Sequence, residues 1–425
     1  MKKIIISLAL IFSAFFAFAG GVENKTNMST GYLRNPSRNT EHERPEAAFY
    51  NIAGTGFMPN GLFVEAGNQF VIKEYKNEVA TKGLEPLLAD GTSYNDETFV
   101  YLYPNADIVY KINNFAFFAN FGIYAGGGTL EYSEGTAITS MLFLGKAIAN
   151  PALMQAMKNI ADNHSLTVNS ITYGEQVGLS YNFGNIVSVS AGVRFLEATQ
   201  TLSLESDGFS ALGSTSNEVS CDADAFGVSP VFGIHVKPIE TLDISAQLQL
   251  KTKLEYEVSN VENPALAASI GITDGKKFRT DLPTALNIGV GYQVMEPLYV
   301  SSSFNYYFNK SADLNSILGE NDYSDSFEIA AGADYKFNEK WLASLGFAYG
   351  NQGTKDNSNN IFNPVLDSFQ IGFGGEFKPI EQLAITLGGT YVKYFNDDYY
   401  VSGTYKTELS KKLFMFSLGV TYKPF

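Results

Sequence analysis

The chain has 425 residues, a formal net charge of −15 from 44 acidic and 29 basic side chains, and 39 glycines beside 14% aromatics. So acidic a balance excludes a nucleic-acid partner, and one cysteine, Cys221, excludes an internal disulfide framework. A mean hydropathy of −0.05 with many aromatics and glycines suits a chain whose every second residue faces something apolar.

Residues 1–19 read as a secretory signal. Lys2 and Lys3 precede an apolar run from Ile4 to Phe18, which closes on the small-residue pattern Ala17-Phe18-Ala19. The mature chain is then expected to begin at Gly20, with a charge of −17 once the two lysines are gone. Residue 20 is not a cysteine, so no lipid anchor is expected. Beyond the signal no apolar run reaches about 18 residues, so no transmembrane helix is predicted. Cys221 reads as a loop residue.

From residue 58 onward the chain alternates. In a strand, successive side chains point to opposite faces, so a barrel in lipid reads apolar outside and polar or small inside with period two. Leu242-Asp243-Ile244-Ser245-Ala246-Gln247-Leu248-Gln249-Leu250 follows this rule, as do Trp341 to Tyr349 and Phe369 to Gly374. Strands are predicted near 58–75, 95–111, 114–132, 167–183, 186–204, 222–238, 240–258, 280–294, 297–310, 324–337, 340–350, 365–378, 382–395 and 411–424. The count is about 14, and even, as single-chain bacterial barrels require.

Period two alone would also fit a soluble sandwich. The links decide. They are long after each odd strand (around 76–94, 133–166, 205–221, 259–279, 311–323, 351–364 and 396–410) and short after each even one. The short links are Asn113-Asn114, Gly184-Asn185, Lys237-Pro238-Ile239, Met295-Glu296-Pro297, Asn338-Glu339 and Lys378-Pro379-Ile380. Long loops outside and tight turns on the periplasmic side describe an outer-membrane barrel. At the C-terminus Phe414, Phe416, Leu418, Val420 and Tyr422 form a lipid-side stripe ending near Phe425. It resembles the aromatic-ended strand that bacterial barrel-assembly machinery reads, and outer-membrane lipid is the expected surrounding.

Eight strands are filled by their own side chains, whereas 16 to 18 leave a water channel. An open bore of 14 would leak, so residues 20–57 are expected to plug the lumen, with the barrel at 58–425. "NPSRNTEHERPEAAFYNIAGTG" resembles the N-terminal hatch of the FadL family, outer-membrane transporters of long-chain fatty acids and aromatic hydrocarbons. The matching positions are Arg38-Asn39 and Ala47-Ala48-Phe49-Tyr50-Asn51-Ile52-Ala53-Gly54, with Ile52 in place of the family's proline. That departure leaves the hatch backbone less rigidly set. "VFGIHVKPIETLDISAQLQLKTKLEYE", "LPTALNIGVGYQVMEPLYVSSSFNY" and "IGFGGEFKPIEQLAITLGGTYVKY" resemble the family's strand-turn-strand units.

The resemblance implies capture of a hydrophobic ligand outside, a pocket beneath the loops, and lateral release through the wall when the hatch shifts. Phe49, Tyr50, Asn51 and Ile52 would line or gate that path. The loop after the third strand carries "ITSMLFLGKAIANPALMQAMKNIADNHS", with short helices predicted at about 137–149 and 151–161 around Asn150-Pro151. Leu153, Met154 and Met157 form a capture surface, or pack as a lid, and Lys146 and Lys158 could draw in a carboxylate. Gly126-Gly127-Gly128 marks either a bulge beside a lateral exit or an ordinary glycine cluster. Lumen-facing Arg194 is a head-group candidate or the partner of Glu376 or Asp334; Arg34 and Arg38 are either head-group ligands or ties to the inner wall.

His42, His164 and His235 lie in hatch, loop and strand without metal-ligand spacing or a nucleophile signature. Neither catalysis, metal nor cofactor is expected. The reading is a plugged outer-membrane barrel that passes hydrophobic molecules by facilitated diffusion, fatty acids before aromatic hydrocarbons. A surface adhesin anchored by its barrel is the alternative, and a porin for polar solutes is disfavoured by the plug.

Overall fold

The computed structural model describes residues 26–80, 89–137, 139–140, 154–184, 186–212, 214–269, 271–315, 323–355, 365–401 and 405–424. Its strands form one closed antiparallel barrel of 14, several of them in two segments. In chain order they are β1 (Gly61–Val79), β2 (Ser93–Asp96 and Phe99–Ile112), β3 (Phe115–Tyr132), β4 (Ser165–Phe183), β5 (Val187–Glu205), β6 (Glu218–Ile239) and β7 (Leu242–Gln249 and Glu255–Ser259). The second half comprises β8 (Lys277–Arg279 and Ala285–Met295), β9 (Leu298–Tyr307), β10 (Ser326–Lys336), β11 (Trp341–Asn351), β12 (Ser368–Ile380), β13 (Leu383–Tyr394 and Asp397–Val401) and β14 (Tyr405–Tyr422). Each strand pairs with its chain neighbours, and β1 closes the ring on β14 from Val64↔Tyr422 to Val79↔Thr407. Closure of β1 on β14 removes the free edges that an open sheet would present to hydrocarbon.

The alternation read from the sequence is the alternation of the wall. On β7, Asp243, Ser245 and Gln247 are buried inside while Ile244 and Leu248 face out. Trp341, Leu345 and Phe347 on β11, and Phe414, Phe416, Leu418, Val420 and Tyr422 on β14, are exposed on the lipid side.

Three details differ from the sequence reading. β6 and β12 run through Pro238 and Pro379, with register shifts at Val236/Ile239 and Phe377/Ile380, so the turns lie just beyond the prolines. A proline missing its ladder N–H is tolerated at such a bulge. The loop expected at 396–410 is mostly hairpin, paired from Asp397↔Leu409 to Val401↔Tyr405. Cys221 sits within β6, not in a loop: inward-facing Val219, Cys221, Ala223 and Ala225 are all buried, so the strand continues outward past the expected boundary.

Residues 26–57 fill the lumen as a hatch. It comprises α1 (Thr30–Arg34), α2 (Ala47–Tyr50) and a 3-10 turn at Ile52–Phe57. Ser29 caps α1 by accepting from the Tyr32 N–H at 3.1 Å, and Pro36 follows the last turn closely enough to end it. In the outer loop, α3 covers Met154–Asp162, and a helix also begins at Ala137.

Leu345→Arg places a charge on the lipid face of β11. It is expected to lower barrel stability by about 2–4 kcal/mol, measured by urea-dependent refolding into phospholipid vesicles.

Candidate functional site

The inner wall changes character along its height. Toward the periplasmic turns it is polar: Ser180, Ser188, Asp243, Gln247, Ser303, Asp334 and Glu376 are buried there. Toward the outer loops Val71, Tyr75, Leu130, Leu166, Leu196, Leu202, Tyr256 and Leu413 form one apolar cluster that reaches down to Phe49, Tyr50 and Tyr124, with buried Lys73, Asp96 and Lys411 set beside it.

The hatch is seated in the polar half by buried charge. Arg34 pairs with Asp334 at 3.2 Å and with the Ser344 hydroxyl. Arg38 reaches Asp334 at 3.4 Å, Glu41 at 3.2 Å and the Gly31 carbonyl at 3.0 Å, while Arg44 meets Glu376 at 2.7 Å. Burial pushes the Glu41 carboxyl up, but the Arg44 and Arg38 guanidiniums and backbone N–H donors bring it down to about 2. Arg34 and Arg38 are therefore ties to the wall. Asp334 and Glu376 serve them and Arg44, not Arg194 as one reading of the sequence had it. Arg44 was missed, though Arg38-x-x-Glu41-x-x-Arg44 has the three-residue spacing of alternating charge that could have marked it.

Side chains of the wall also satisfy the hatch backbone. Gln176 donates to the Ala48 carbonyl at 2.7 Å, Ser180 to Ile52 at 2.7 Å, Asn182 to Gly56 at 2.8 Å, and Asn39 donates to the Ile288 carbonyl at 2.9 Å. Gln247 accepts the Ile52 N–H at 2.9 Å and donates to the Phe49 carbonyl at 2.9 Å. The N–H that a proline at 52 would lack is thus bonded to the wall, and the segment is held rather than loosened. Ile52 packs with Ala48, Met58 and Phe118, away from the cleft. Ala53 and Gly54 are buried where the backbone crowds Gly233 and the Glu41 carbonyl.

Above the hatch lies a narrow cleft lined by Phe49, Tyr50, Tyr32, Tyr124, Tyr307, Asn39 and Arg194 among others. Phe49 stands edge-on to Tyr50 and Tyr124, at 4.9 and 5.3 Å between ring centres. Arg194, on β5, lies 5.9 Å from the Tyr124 ring and donates to Gln249, the Leu250 carbonyl and Thr252 at 3.0, 3.1 and 3.0 Å. It thereby covers a carbonyl in the break that divides β7, a break absent from the sequence reading. Among the described residues no carboxylate pairs with it, and its Nε has no partner.

At the same level the wall is open. β2 and β3 pair only from Ala106↔Phe121 to Ile112↔Phe115. Further out, Phe99–Asn105 bonds to β1 alone and Gly122–Tyr132 to β4 alone. The β3–β4 register slips at Ile123/Ala125 and again at Gly126/Gly128, with φ of +80° and +86° at the two glycines, values that exclude most side chains. The glycine run is therefore a double bulge beside a gap. Tyr103 crosses the gap to the Ile123 carbonyl at 3.3 Å, and Thr98 and Asp96 rejoin β3 at the Thr129 carbonyl and the Glu131 N–H, at 3.0 and 2.7 Å.

Lys146 and Leu153 lie outside the described residues. Met154 and Met157 are in α3, whose Lys158 pairs with Asp162 at 3.3 Å. His42 and His235, far apart in sequence, come within 5.4 Å, whereas His164 is at the foot of the outer loop.

The model of the family described as outer membrane protein transport protein (OMPP1/FadL/TodX) matches residues 168–423. The chain belongs to this family. It is an outer-membrane barrel of a family that transports hydrophobic molecules and does not consist of enzymes. The fold matches a FadL homologue of Pseudomonas aeruginosa with a TM-score of 0.70 at 17% identity, over 95% of this chain and 99% of that one. The Pseudomonas putida toluene transporter TodX matches with a TM-score of 0.66 at 15% identity, and the Ralstonia pickettii toluene transporter TbuX with 0.60 at 14%, each over 95% of this chain and 99% of its own. No curated protein matches it in sequence.

A carboxyl held down by its neighbours stabilises the structure above its unfolded value and loses that contribution as pH falls through its folded one. Glu41 should therefore keep the arginine cluster intact down to pH 4.5 and release it toward pH 2. Hydrogen exchange of the amides of residues 42–44, which donate to Glu41, should speed up across that interval after correction for intrinsic rates, and in Glu41→Gln it should be fast throughout it.

Proposed function

We propose that this protein carries long-chain fatty acids across the outer membrane by facilitated diffusion. The observation that carries the reading is Arg194: a buried guanidinium in the cleft below the apolar outer cluster, with no carboxylate partner among the described residues. A guanidinium forks onto a carboxylate, and a buried charge left without one is costly. A fatty-acid head group supplies the missing partner, and the apolar outer lumen takes the acyl chain.

Leaving such surroundings for water would cost a chain of roughly 16 carbons on the order of 0.8 kcal/mol per methylene, so the route must stay apolar. The gap between β2 and β3 offers that route, since it opens to lipid at the height of the cleft. Tyr101 and Leu102 on its rim are 72% and 70% exposed. In this reading residues 20–57, after removal of residues 1–19, act as the hatch. A shift of Phe49 and Tyr50 against Tyr124 connects cleft to gap. The cluster of Tyr32, Tyr50, Phe49 and Tyr124 rings also suits a flat aromatic guest, so aromatic hydrocarbons are the second reading.

Arg194→Met separates the two. Titration in detergent should show fatty-acid affinity falling about ten- to hundredfold, as expected for losing a charge-assisted bond, with toluene affinity unchanged. Equal loss for both ligands, or none, would remove Arg194 from the head-group site. For the exit, a single cysteine at Val100 in a Cys221→Ser background stands beside Gly128 at the gap and can be joined there as a mixed disulfide to a bulky added thiol such as glutathione. The mixed disulfide should block uptake into cells without reducing binding, and a thiol reductant should restore it.

A further inference from the structure

At its periplasmic end the hatch meets β6 through a hydrogen bond, Asn51 to His235, whose direction the surrounding structure dictates. Asn51 Nδ2 lies 2.7 Å from His235 Nδ1 and 3.0 Å from the Glu41 carbonyl, while Asn51 Oδ1 accepts the Gly54 N–H at 3.2 Å. Turning the amide over would set oxygen against the Glu41 carbonyl and nitrogen against the Gly54 N–H. The amide nitrogen is thereby fixed toward His235, and Nδ1 must carry the lone pair. The ring proton is then on Nε2, which donates to Asp243 Oδ1 at 2.8 Å.

We propose that Asn51 and His235 form a proton-sensitive latch between hatch and wall. A proton added at Nδ1 points an N–H at the Asn51 amide donor, and the bond that holds the hatch becomes a donor–donor contact. Asp243 keeps its bond to Nε2–H and becomes the counter-ion of the imidazolium, so the charge remains on the wall while the hatch is released. Asn51 also caps the 3-10 turn at Ile52–Phe57, so its departure loosens that turn.

The charged and titratable groups around His235 are few. His42 of the hatch stands edge-on to it at 5.4 Å, Asp243 is on β7, and Tyr299 on β9 bonds Asp243 Oδ2 at 3.1 Å. Lys237, on β6, lies 3.3 Å from Asp243 Oδ1 and 2.9 Å from His42 Nε2. Arg38, Glu41 and Arg44 of the hatch line the adjoining polar cavity of about 760 Å³ but are engaged in the ion pairs described above. Direct strand neighbours Ser188 and Ser245 carry no charge. Although His42, His235 and Asp243 offer ligand atoms within 4.8 Å of one another, the arrangement does not suit a metal. The proton on His235 Nε2 and the Lys237 ammonium already occupy that position.

The test follows hatch position rather than transport, so it stands apart from the choice of cargo. In the intact protein in detergent, hydrogen exchange of the amides of residues 52–57 is compared across pH 5 to 8, where imidazole titrates, after correction for intrinsic rates. Protection should fall by about tenfold on acidification in the wild type. It should stay constant in His235→Gln, whose side-chain oxygen can accept from Asn51 at either pH. Asn51→Asp should reverse the sign, because a carboxylate accepts from the imidazolium. Retention of the acid step in His235→Gln, or its absence from the wild type, overturns the latch. The heat-dependent gel mobility of the barrel verifies that each variant is folded.

Discussion

The structure depends on holding a plug of irregular backbone inside a barrel whose outer face is in hydrocarbon. Apolar packing alone would do this poorly, because a hatch glued by hydrophobic contact could not move past a hydrophobic cargo. The chain uses buried charge, with Arg34, Arg38 and Arg44 set among Glu41, Asp334 and Glu376. A buried ion pair contributes little net stability compared with an apolar substitute, yet removing one partner is costly. Such pairs therefore fix position strongly while adding little to overall stability.

That seating also sorts the lumen. The ion-paired hatch below and the apolar cluster above meet at the level of Phe49, Tyr50, Tyr124 and Arg194, which in the proposed function is where an amphipathic molecule rests with its head toward Arg194. The boundary coincides with interruptions of the wall on two sides. β6 and β7 pair up to Val231↔Gln249 and again only from Asp224↔Glu257, and β2 and β3 part above Ala106↔Phe121. Polarity gradient and ladder defects belong to one arrangement.

Much of this was legible in the sequence because strand alternation and turn spacing are local. Leu242 to Gln249 states its two faces without any tertiary information, and seven long links alternating with six short ones are enough to infer a barrel. Partner choice was not legible. Asp334 and Glu376 read as inward acids, but whether Arg194 or Arg34, Arg38 and Arg44 would reach them depends on how a segment some 300 residues away threads the bore. The meeting of His42 with His235 was hidden for the same reason, as was the loss of the β2–β3 ladder. The glycine run announced a bulge; only the pairing register shows that the neighbouring strand lets go there.

An interruption of that kind should be costly, since each unsatisfied backbone group facing lipid costs several kcal/mol. Here side chains replace the ladder. Asn68 donates to the Tyr101 carbonyl and accepts the Tyr103 N–H, both at 2.9 Å, so one amide stands in for the lost strand partner. Tyr103 covers the Ile123 carbonyl, Thr98 and Lys73 meet the Thr129 carbonyl, and Pro104 has no N–H to satisfy. The gap therefore exists because particular residues on β1 and β2 bond what the missing hydrogen bonds would have bonded. It is a constructed opening with a tyrosine across it, and its size is set by how far those side chains can reach.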